Sequence, residues 1–502
     1  MGCLPILIHH LHPAAGRERR LKLNETCHGK ARFQVSNIQF GTDGWRGVIG
    51  RDFTFSNVEV VAQAIADYMN SQELLGCRQV LIGYDCRFMA GAFAGRVGEV
   101  LAGSGFQPEL LDRPFPTPYV SYEVKRRQLP GGVMVTASHN PPEFCGIKFK
   151  APFGGSATPA VVKEIEARLH QQRPRRAAAG SGDSVVLKVS PRHEYLDHIQ
   201  SLIHFDSIRK VKPRAVADAM HGCGGNLLET ILRQHGVECF SIREKPDPLF
   251  GGVFPEPMEE NLLPLREAIR EKNADIGLAT DGDADRLGVM DQDGRYVNTH
   301  QVLALLILHL VRRRGWRGKI VKTVSQSVLI ERICLSLGLE YEVVPVGFKN
   351  IADLMLRDDI LIGGEESGGV GIKNHIPERD GILVNLLMLE AVAESGLSLN
   401  EMVRAVWKEF GEFHFQRRDL HVPLDFGKSL VQRLRETPPD QFAGLAVDRV
   451  DALDGTKLIF KDESWILFRQ SGTEPLLRVY CEAGSREQVD KLMAQGRILT
   501  QP

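Results

Sequence analysis

The stretch D-I-G-L-A-T-D-G-D-A-D-R-L-G-V-M spans residues 275–290. Residues 275–279 read as a buried strand and 287–290 as another. The loop between them places Asp281, Asp283 and Asp285 at alternate positions. Two such charges ~6 Å apart repel by roughly 3 kcal/mol at an effective dielectric of 20. A cation removes that penalty, and all-oxygen ligands select a hard one, Mg²⁺ or Ca²⁺. An EF-hand is excluded, because Arg286 stands where its glycine belongs and Gln292 where its glutamate belongs. Taken alone, the loop also suits a plain acidic turn. The nearby D-Q-D-G, 291–294, reads only as a hairpin turn.

Outward from this loop, strands and helices alternate. Residues 215–218 (strand), 227–235 (helix), 237–241 (strand) and 262–272 (helix) lead into 276–279. Towards the N-terminus the pattern is a helix at 58–69, a strand at 79–83, a helix at 93–105 and a strand at 132–136. Towards the C-terminus a third set runs through 302–313, 319–323, 328–337 and 342–346. Such alternation signals α/β layering with a largely parallel sheet. The last part differs: 418–422, 446–452, 457–461, 464–468 and 477–482 read as strands joined by polar turns, which suggests α+β. Residues 171–184, rich in Gln, Arg, Ala, Gly and Ser, read as a linker. The basic, His-rich residues 1–36 read as an N-terminal extension without fixed structure.

At 502 residues the chain is too long for one core, and three or four domains are expected. A formal net charge of −1 gives no global field for nucleic acid or an anionic membrane, so neither is expected as a partner. Nine scattered cysteines without a C-x-x-C argue against a disulfide framework or zinc site and for a reducing compartment. The longest apolar run, 302–311, is too short to span a bilayer, and the first ten residues lack a signal peptide's basic start. A cytoplasmic protein is expected.

Three further segments carry chemistry. T-A-S-H-N-P, 136–141, puts Ser138 at the C-terminal end of a strand, where α/β folds place their sites. Serine is a weak nucleophile that needs a base or a metal, and His139 and Lys148 are candidate bases; the segment equally suits a cap or turn. R-Q-S-G-T-E-P, 469–475, offers an Arg fork, two hydroxyls and glycine N–H groups, which suit a phosphate clamp. G-G-E-E-S-G-G, 363–369, offers carboxylates and a hydroxyl for sugar hydroxyls, or is an acidic surface loop. Arg46 in F-G-T-D-G-W-R-G, 40–47, and Lys322 in V-K-T, 321–323, are additional cations on a loop and at a strand.

The order of these five motifs resembles the α-D-phosphohexomutase superfamily, and within it the bacterial phosphoglucomutase/phosphomannomutase branch, from about residue 38 to the end. The resemblance implies three similar α/β domains with mixed sheets and a smaller C-terminal α+β domain around a central cleft. The corresponding division is 37–190 (phosphoserine loop), 191–296 (metal loop), 297–407 (sugar loop) and 408–502 (phosphate loop). It implies Ser138 as the phosphoserine, which also contacts the metal, and Asp281, Asp283 and Asp285 as ligands of one Mg²⁺. Arg286 would lie beside the transferring phosphoryl, with Lys148 as general acid/base and His139 assisting. Glu365 and Ser367 would read sugar hydroxyls. Arg469, Ser471, Gly472 and Thr473 would hold the non-reacting phosphate, with Arg46 and Lys322 nearby. Two positions depart from the pattern: many relatives carry Asn where Cys145 stands, and some carry His where Gly369 stands.

The expected reaction is interconversion of hexose 1-phosphate and hexose 6-phosphate through a hexose 1,6-bisphosphate, which also serves as activator. Glucose is expected first because of the double glutamate, then mannose, in a monomer or dimer whose partners are small sugar phosphates. The alternatives are a phosphoglucosamine mutase, a metal-dependent sugar phosphatase or sugar-nucleotide enzyme, and a non-catalytic sugar-phosphate sensor. No P-loop or G-x-G-x-x-G supports a nucleotide enzyme.

Overall fold

The strands flanking the acidic loop pair antiparallel, with Thr280 opposite Leu287, so residues 281–286 form the turn of a hairpin. Both strands, Ile276–Thr280 and Leu287–Asp291, are buried throughout, as expected where helices cover both faces. In this computed structural model the described residues are 38–500, apart from 42, 73–75, 178–184 and 472–474. The extension read at 1–36 lies outside them.

Four sheets form among the described residues. The first runs in the order Trp45–Val48, Phe144–Ala151, Gly132–Val135, Gln79–Tyr84, Gln107–Leu111, Leu187–Val189. The second runs Tyr296–Val297, Leu287–Asp291, Ile276–Thr280, Ala215–Asp218, Cys239–Ile242. The third runs Tyr341–Val344, Lys319–Thr323, Ile360–Gly364, Val370–Ile372. Each contains neighbouring parallel strands that end in an antiparallel hairpin. The hairpin turns are 136–143, 281–286 and 365–369, so three sequence motifs occupy the same place in three sheets. In the fourth sheet His414–His421, Leu476–Ala483, Trp465–Gln470, Thr456–Phe460, Leu445–Asp451 and Gln441–Phe442 are all antiparallel. Two helices, Leu424–Glu436 and Arg486–Leu499, pack against it, and its strands Trp465–Gln470 and Leu476–Ala483 pair antiparallel. The architecture is three α/β domains and a smaller α+β domain.

The helix Gly381–Ser395 binds the middle of the molecule together. Asp380 caps it, its Oδ1 accepting from the backbone N–H groups of Ile382 and Leu383 at 3.0 Å each. Gly396, in the left-handed conformation, ends it. Residues 381–393 are all buried, so this helix has no polar face. It packs on the second sheet's hairpin and on the helix Thr299–Leu308, inside one apolar cluster that runs from Leu81 to Phe410.

Of the stretch 171–184, read as a linker, residues 171–177 are described, and further along the chain Leu187–Val189 adds to the first sheet beside Gln107–Leu111. Its described part packs on the helix Ala90–Gly103: a Cβ at Gly103 would lie 2.1 Å from the Arg175 carbonyl oxygen. The hairpin at 291–294 is present, with Gly294 N–H donating to the Asp291 carbonyl at 2.9 Å. The seven described cysteines are free thiols. No single described helix is long and apolar enough to cross a membrane.

Leu387 is fully buried in the central helix. Leu387→Ala is expected to lower stability by about 2–5 kcal/mol, read from the urea unfolding midpoint.

Candidate active site

Ser138 follows the strand Gly132–Val135 with φ of 53°, a left-handed backbone that a serine adopts at a cost of about 1–3 kcal/mol. A buried clamp holds it there. The Arg87 guanidinium donates to the carbonyls of Ser138 (2.7 Å), Asn140 (2.6 Å), Pro141 (2.7 Å) and Phe144 (2.9 Å). It is ion-paired with Asp85 at 3.1 Å, both side chains being fully buried. Asp85 Oδ2 accepts the Thr136 hydroxyl at 2.5 Å, and Thr136 Oγ1 accepts the Ser138 N–H at 2.8 Å. Burial pushes the Asp85 carboxyl up to about 6, against the pull of Arg87. The Ser138 hydroxyl donates to Asp281 Oδ2 at 2.8 Å and lies 3.4 Å from His139 Nδ1.

The acidic turn is fully buried at Asp281, Asp283 and Asp285. Asp281 Oδ1 accepts the backbone N–H groups of Asp285 (2.9 Å) and Arg286 (3.1 Å). Asp283 Oδ2 accepts the Thr117 hydroxyl (2.5 Å) and the Lys148 ammonium (2.9 Å). Asp285 Oδ2 accepts Lys148 (3.0 Å) and faces Arg379 Nη2 at 2.8 Å. Asp283 Oδ1 and Asp285 Oδ1 are buried without a hydrogen-bond partner. One oxygen from each of the three carboxylates lies within 4.8 Å of the others. Buried, unsatisfied carboxylate oxygens beside a serine hydroxyl fit a hard divalent cation.

The electrostatics follow from this crowding. Burial, then the charges of Asp283 and Asp285, hold the Asp281 carboxyl well above the usual carboxylate range. Burial also pushes Asp283 up, but Lys148 and the Thr117 hydroxyl outweigh it and the net shift is downward. Burial pulls the Lys148 ammonium down, yet Asp283, Asp285 and Asp43 outweigh it and raise its pKa, so Lys148 stays charged. Burial and the cations Arg286, Arg46, Arg417 and Lys148 hold His139 well below its ordinary value, so its imidazole is neutral.

Ser138, His139, Lys148, Asp281, Asp283 and Asp285 thus share one contact network. Arg286 is nearly buried, donates to Glu256 Oε1 at 3.0 Å, and bridges Gly369 of the sugar loop. Arg46 Nη1 donates to Asn140 Oδ1 at 2.5 Å, on the serine loop. Glu365 is buried; its Oε1 accepts the Gly347 N–H at 3.0 Å, and Ser367 sits half-buried on the same turn. Burial raises the Glu365 carboxyl to about 7, against Arg379.

Lys322 corrects the sequence reading. Its ammonium is fully buried within its own domain, donating to the Gln326 and Ser327 carbonyls (3.2 and 3.0 Å) and paired with Glu331 at 2.6 Å. Those contacts place it against the start of the helix Val328–Leu337. Arg469 donates through Nε to Asp454 Oδ2 at 2.8 Å, and Asp454 also accepts the Val346 N–H at 2.9 Å. Ser471 is buried, its N–H donating to the Leu476 carbonyl at 2.8 Å. Gly472 and Thr473 lie outside the described residues.

Sequence reading missed Asp85, Arg87, Asp43 and Arg379. The first two stand in D-C-R directly after a strand, and Arg379 in E-R-D ahead of an apolar helix. Those placements were the available signals.

Four family models match in order. They are phosphoglucomutase/phosphomannomutase alpha/beta/alpha domains I (37–176), II (193–294) and III (298–410), and the C-terminal domain (429–497). A phosphoglucomutase/phosphomannomutase of Thermococcus kodakarensis is 31% identical over 461 residues, covering 91% of this chain and 97% of the relative. The chain belongs to the phosphoglucomutase/phosphomannomutase family. It is therefore an isomerase that transfers phosphate intramolecularly, a phosphohexomutase. A Pyrococcus abyssi relative named a probable phosphoglucosamine mutase is also 31% identical, over 92% of this chain and 97% of its own length. A solved structure from Thermus thermophilus, described as a phosphomannomutase, superposes with a TM-score of 0.81 at 38% identity, covering 92% of this chain and 98% of that one.

Replacing Arg87 tests the clamp. Arg87→Met leaves Asp85 buried without its cation and is expected to cost about 3–5 kcal/mol at pH 8. At pH 5 the cost is smaller, because Asp85, already raised to about 6, is then neutral. Unfolding curves at the two pH values check this.

Proposed function

We propose that this phosphohexomutase interconverts hexose 1-phosphate and hexose 6-phosphate through a phosphoserine at Ser138 and a hexose 1,6-bisphosphate. One observation carries the reading: the Ser138 hydroxyl meets Asp281 at 2.8 Å, beside two buried carboxylate oxygens without partners. A nucleophile from one sheet's turn and an acidic loop from another's converge. On this reading residues 37–190 bring the phosphoserine, 191–296 the metal loop, 297–407 the sugar loop and 408–502 the phosphate loop.

Asp281, Asp283 and Asp285, with phosphorylated Ser138, would hold one Mg²⁺. When bound, that ion supplies charge neutralisation for the phosphoryl group. The protein's own groups do the rest. The P–Oγ bond of Ser138 breaks as a bond forms between phosphorus and the free sugar hydroxyl. Neutral His139 accepts the hydroxyl's proton. Lys148, held protonated by three carboxylates, serves as an acid and a fixed charge; the role of base passes to His139. Arg286 lies beside the transferring group, and Glu365 and Ser367 read the sugar. Arg469, Ser471, Gly472 and Thr473 hold the other phosphate, assisted by Arg46. The bisphosphate turns and returns its second phosphoryl to Ser138.

Glucose is the first candidate sugar and mannose the second, but the double glutamate offers less support than its sequence suggests. Glu366 accepts the Ser325 hydroxyl at 2.6 Å, which leaves Glu365 as the carboxylate facing the loop's other cation, Arg379. A carboxylate also suits the ammonium of glucosamine, and relatives carry both names, so phosphoglucosamine mutase is the second reading.

Glucose, mannose and glucosamine 1-phosphates, supplied with Mg²⁺ and a trace of the matching bisphosphate, test the proposal. Turnover of one of them, abolished by EDTA, is expected. Ser138→Ala should lose at least about 10³-fold in kcat, as removal of a covalent nucleophile does; retention of most activity would sink the scheme. Release of free phosphate instead of isomer would point to a phosphatase.

The pH profile has a definite sign. Glu365 titrates at about 7, so its ionised form is present above that value and is lost as pH falls through it. The sugar phosphate KM is expected to rise as pH drops from 8 to 6. Glu365→Gln should flatten that dependence.

A further inference from the structure

Arg379 lies where three segments meet. Its Nη2 is 2.6 Å from Asp43 Oδ2 and 2.8 Å from Asp285 Oδ2. Its Nη1 is 3.7 Å from Glu365 Oε2, and its Nε, buried without a hydrogen-bond partner, faces Glu378 Oε1 at 3.4 Å. The guanidinium lies over the Phe348 ring, with its carbon 5.4 Å from the centroid, and the residue is only 4% exposed. Asp43 comes from the first sheet's leading loop, Asp285 from the acidic turn and Glu365 from the sugar loop.

The backbone is shaped around this side chain. A Cβ on Gly369, the last residue of the sugar turn, would lie 2.4 Å from Arg379 Cδ and 3.0 Å from its Cγ. Any side chain at 369 must displace the arginine. Position 369 is empty because Arg379 fills its space, so a cation reaches the sugar turn from ten residues further along the chain.

We propose that Arg379 is the positioning residue for sugar recognition: it sets the Glu365 carboxylate and ties it to Asp285, so that the sugar loop and the acidic loop hold one geometry. The proposal rests on the reading of the site as a sugar phosphate site. It assigns Arg379 no contact with the reacting atoms. Glu365 Oε1 is held by the Gly347 N–H, and its Oε2 faces the arginine across 3.7 Å, an ion pair without a hydrogen bond. A lysine keeps the charge but cannot reach several carboxylates from one planar fork.

The experiment is a double-mutant cycle on binding. Calorimetry measures Kd for glucose 6-phosphate, mannose 6-phosphate and glucosamine 6-phosphate in the full chain with Mg²⁺, alongside turnover. Arg379→Lys is expected to weaken the sugar phosphate that the wild type binds by about 10- to 100-fold, the usual scale for losing charged hydrogen bonds such as that to Asp43, which hold the guanidinium against Glu365. Because Arg379 acts through Glu365, the pair Arg379→Lys with Glu365→Gln should bind no more weakly than Glu365→Gln alone. Gly369→Ala keeps every charge and pushes the arginine aside, so it should weaken binding in the same direction even if Arg379→Lys folds poorly. Wild-type affinity in both Arg379→Lys and Gly369→Ala overturns the proposal, as do losses that multiply in the double variant. Wild-type affinity in Arg379→Lys with a loss in Arg379→Gln reduces Arg379 to a charge, which also overturns it. If the wild type binds none of the three sugars, the reading of the site falls, and this proposal with it.

Discussion

Three carboxylates on a six-residue turn, all fully buried, are the constraint on which the molecule turns. With one oxygen of each within 4.8 Å of the others, each pair of full charges repels by about 3 kcal/mol or more at an effective dielectric of 20. The second sheet, which carries the turn, supplies Arg286 as the nearest cation of its own, and that guanidinium is drawn to Glu256. The compensating charges come from elsewhere: Lys148 from the first sheet and Arg379 from the start of the central helix. The acidic turn is therefore stable only where its neighbours are docked around it. The same contacts that neutralise it also bring Ser138 and Glu365 to it.

That convergence has a simple topological basis. Each α/β unit ends its parallel strands in an antiparallel hairpin, and the hairpin's turn lies at the carboxyl end of the last parallel strand. Ligand sites in open α/β sheets form at such ends. Repeating the device three times yields three functional turns that can face one another. The backbone ties the acidic hairpin to the sugar turn, through Leu287 N–H to the Gly368 carbonyl at 3.1 Å, and to the start of the central helix, through Gly381 N–H to the Ala284 carbonyl at 3.1 Å.

The turns were legible in the sequence because polar, glycine-bearing loops stand out between apolar strands. The strands were legible too, since buried parallel strands read as short apolar runs. The central helix was not read, because a helix buried on every side has no periodic polar face. Residues 171–184 read as a linker by composition, and the strand that follows, Leu187–Val189, joins the first sheet. Arg87 and Arg379 carry no motif of their own. The carbonyls that Arg87 clamps lie 51–57 residues away and the Asp43 that Arg379 meets lies 336 residues away, so the fold is needed to join either arginine to the site. Lys322 shows the opposite: a lysine in a strand reads as an open cation, while in the fold its ammonium meets the carbonyls of Gln326 and Ser327 and the carboxylate of Glu331.

The nucleophile shows why buried charge is tolerated here. Ser138 sits in a left-handed conformation that the strand and its hydroxyl do not favour by themselves. A neutral core could not hold it, since four carbonyl oxygens around the loop would be left facing apolar groups. Arg87 satisfies all four and has no alternative protonation state through which to escape burial. Its own charge requires Asp85, and Asp85 in turn orders Thr136, which accepts the Ser138 N–H. The two buried charges behind the serine loop, Arg87 and Asp85, thus satisfy each other while they position it. The serine hydroxyl is left with one freedom, rotation about its own side-chain bond, between Asp281 and the neutral imidazole of His139. Strain at the backbone is exchanged for a nucleophile that has almost no other place to be.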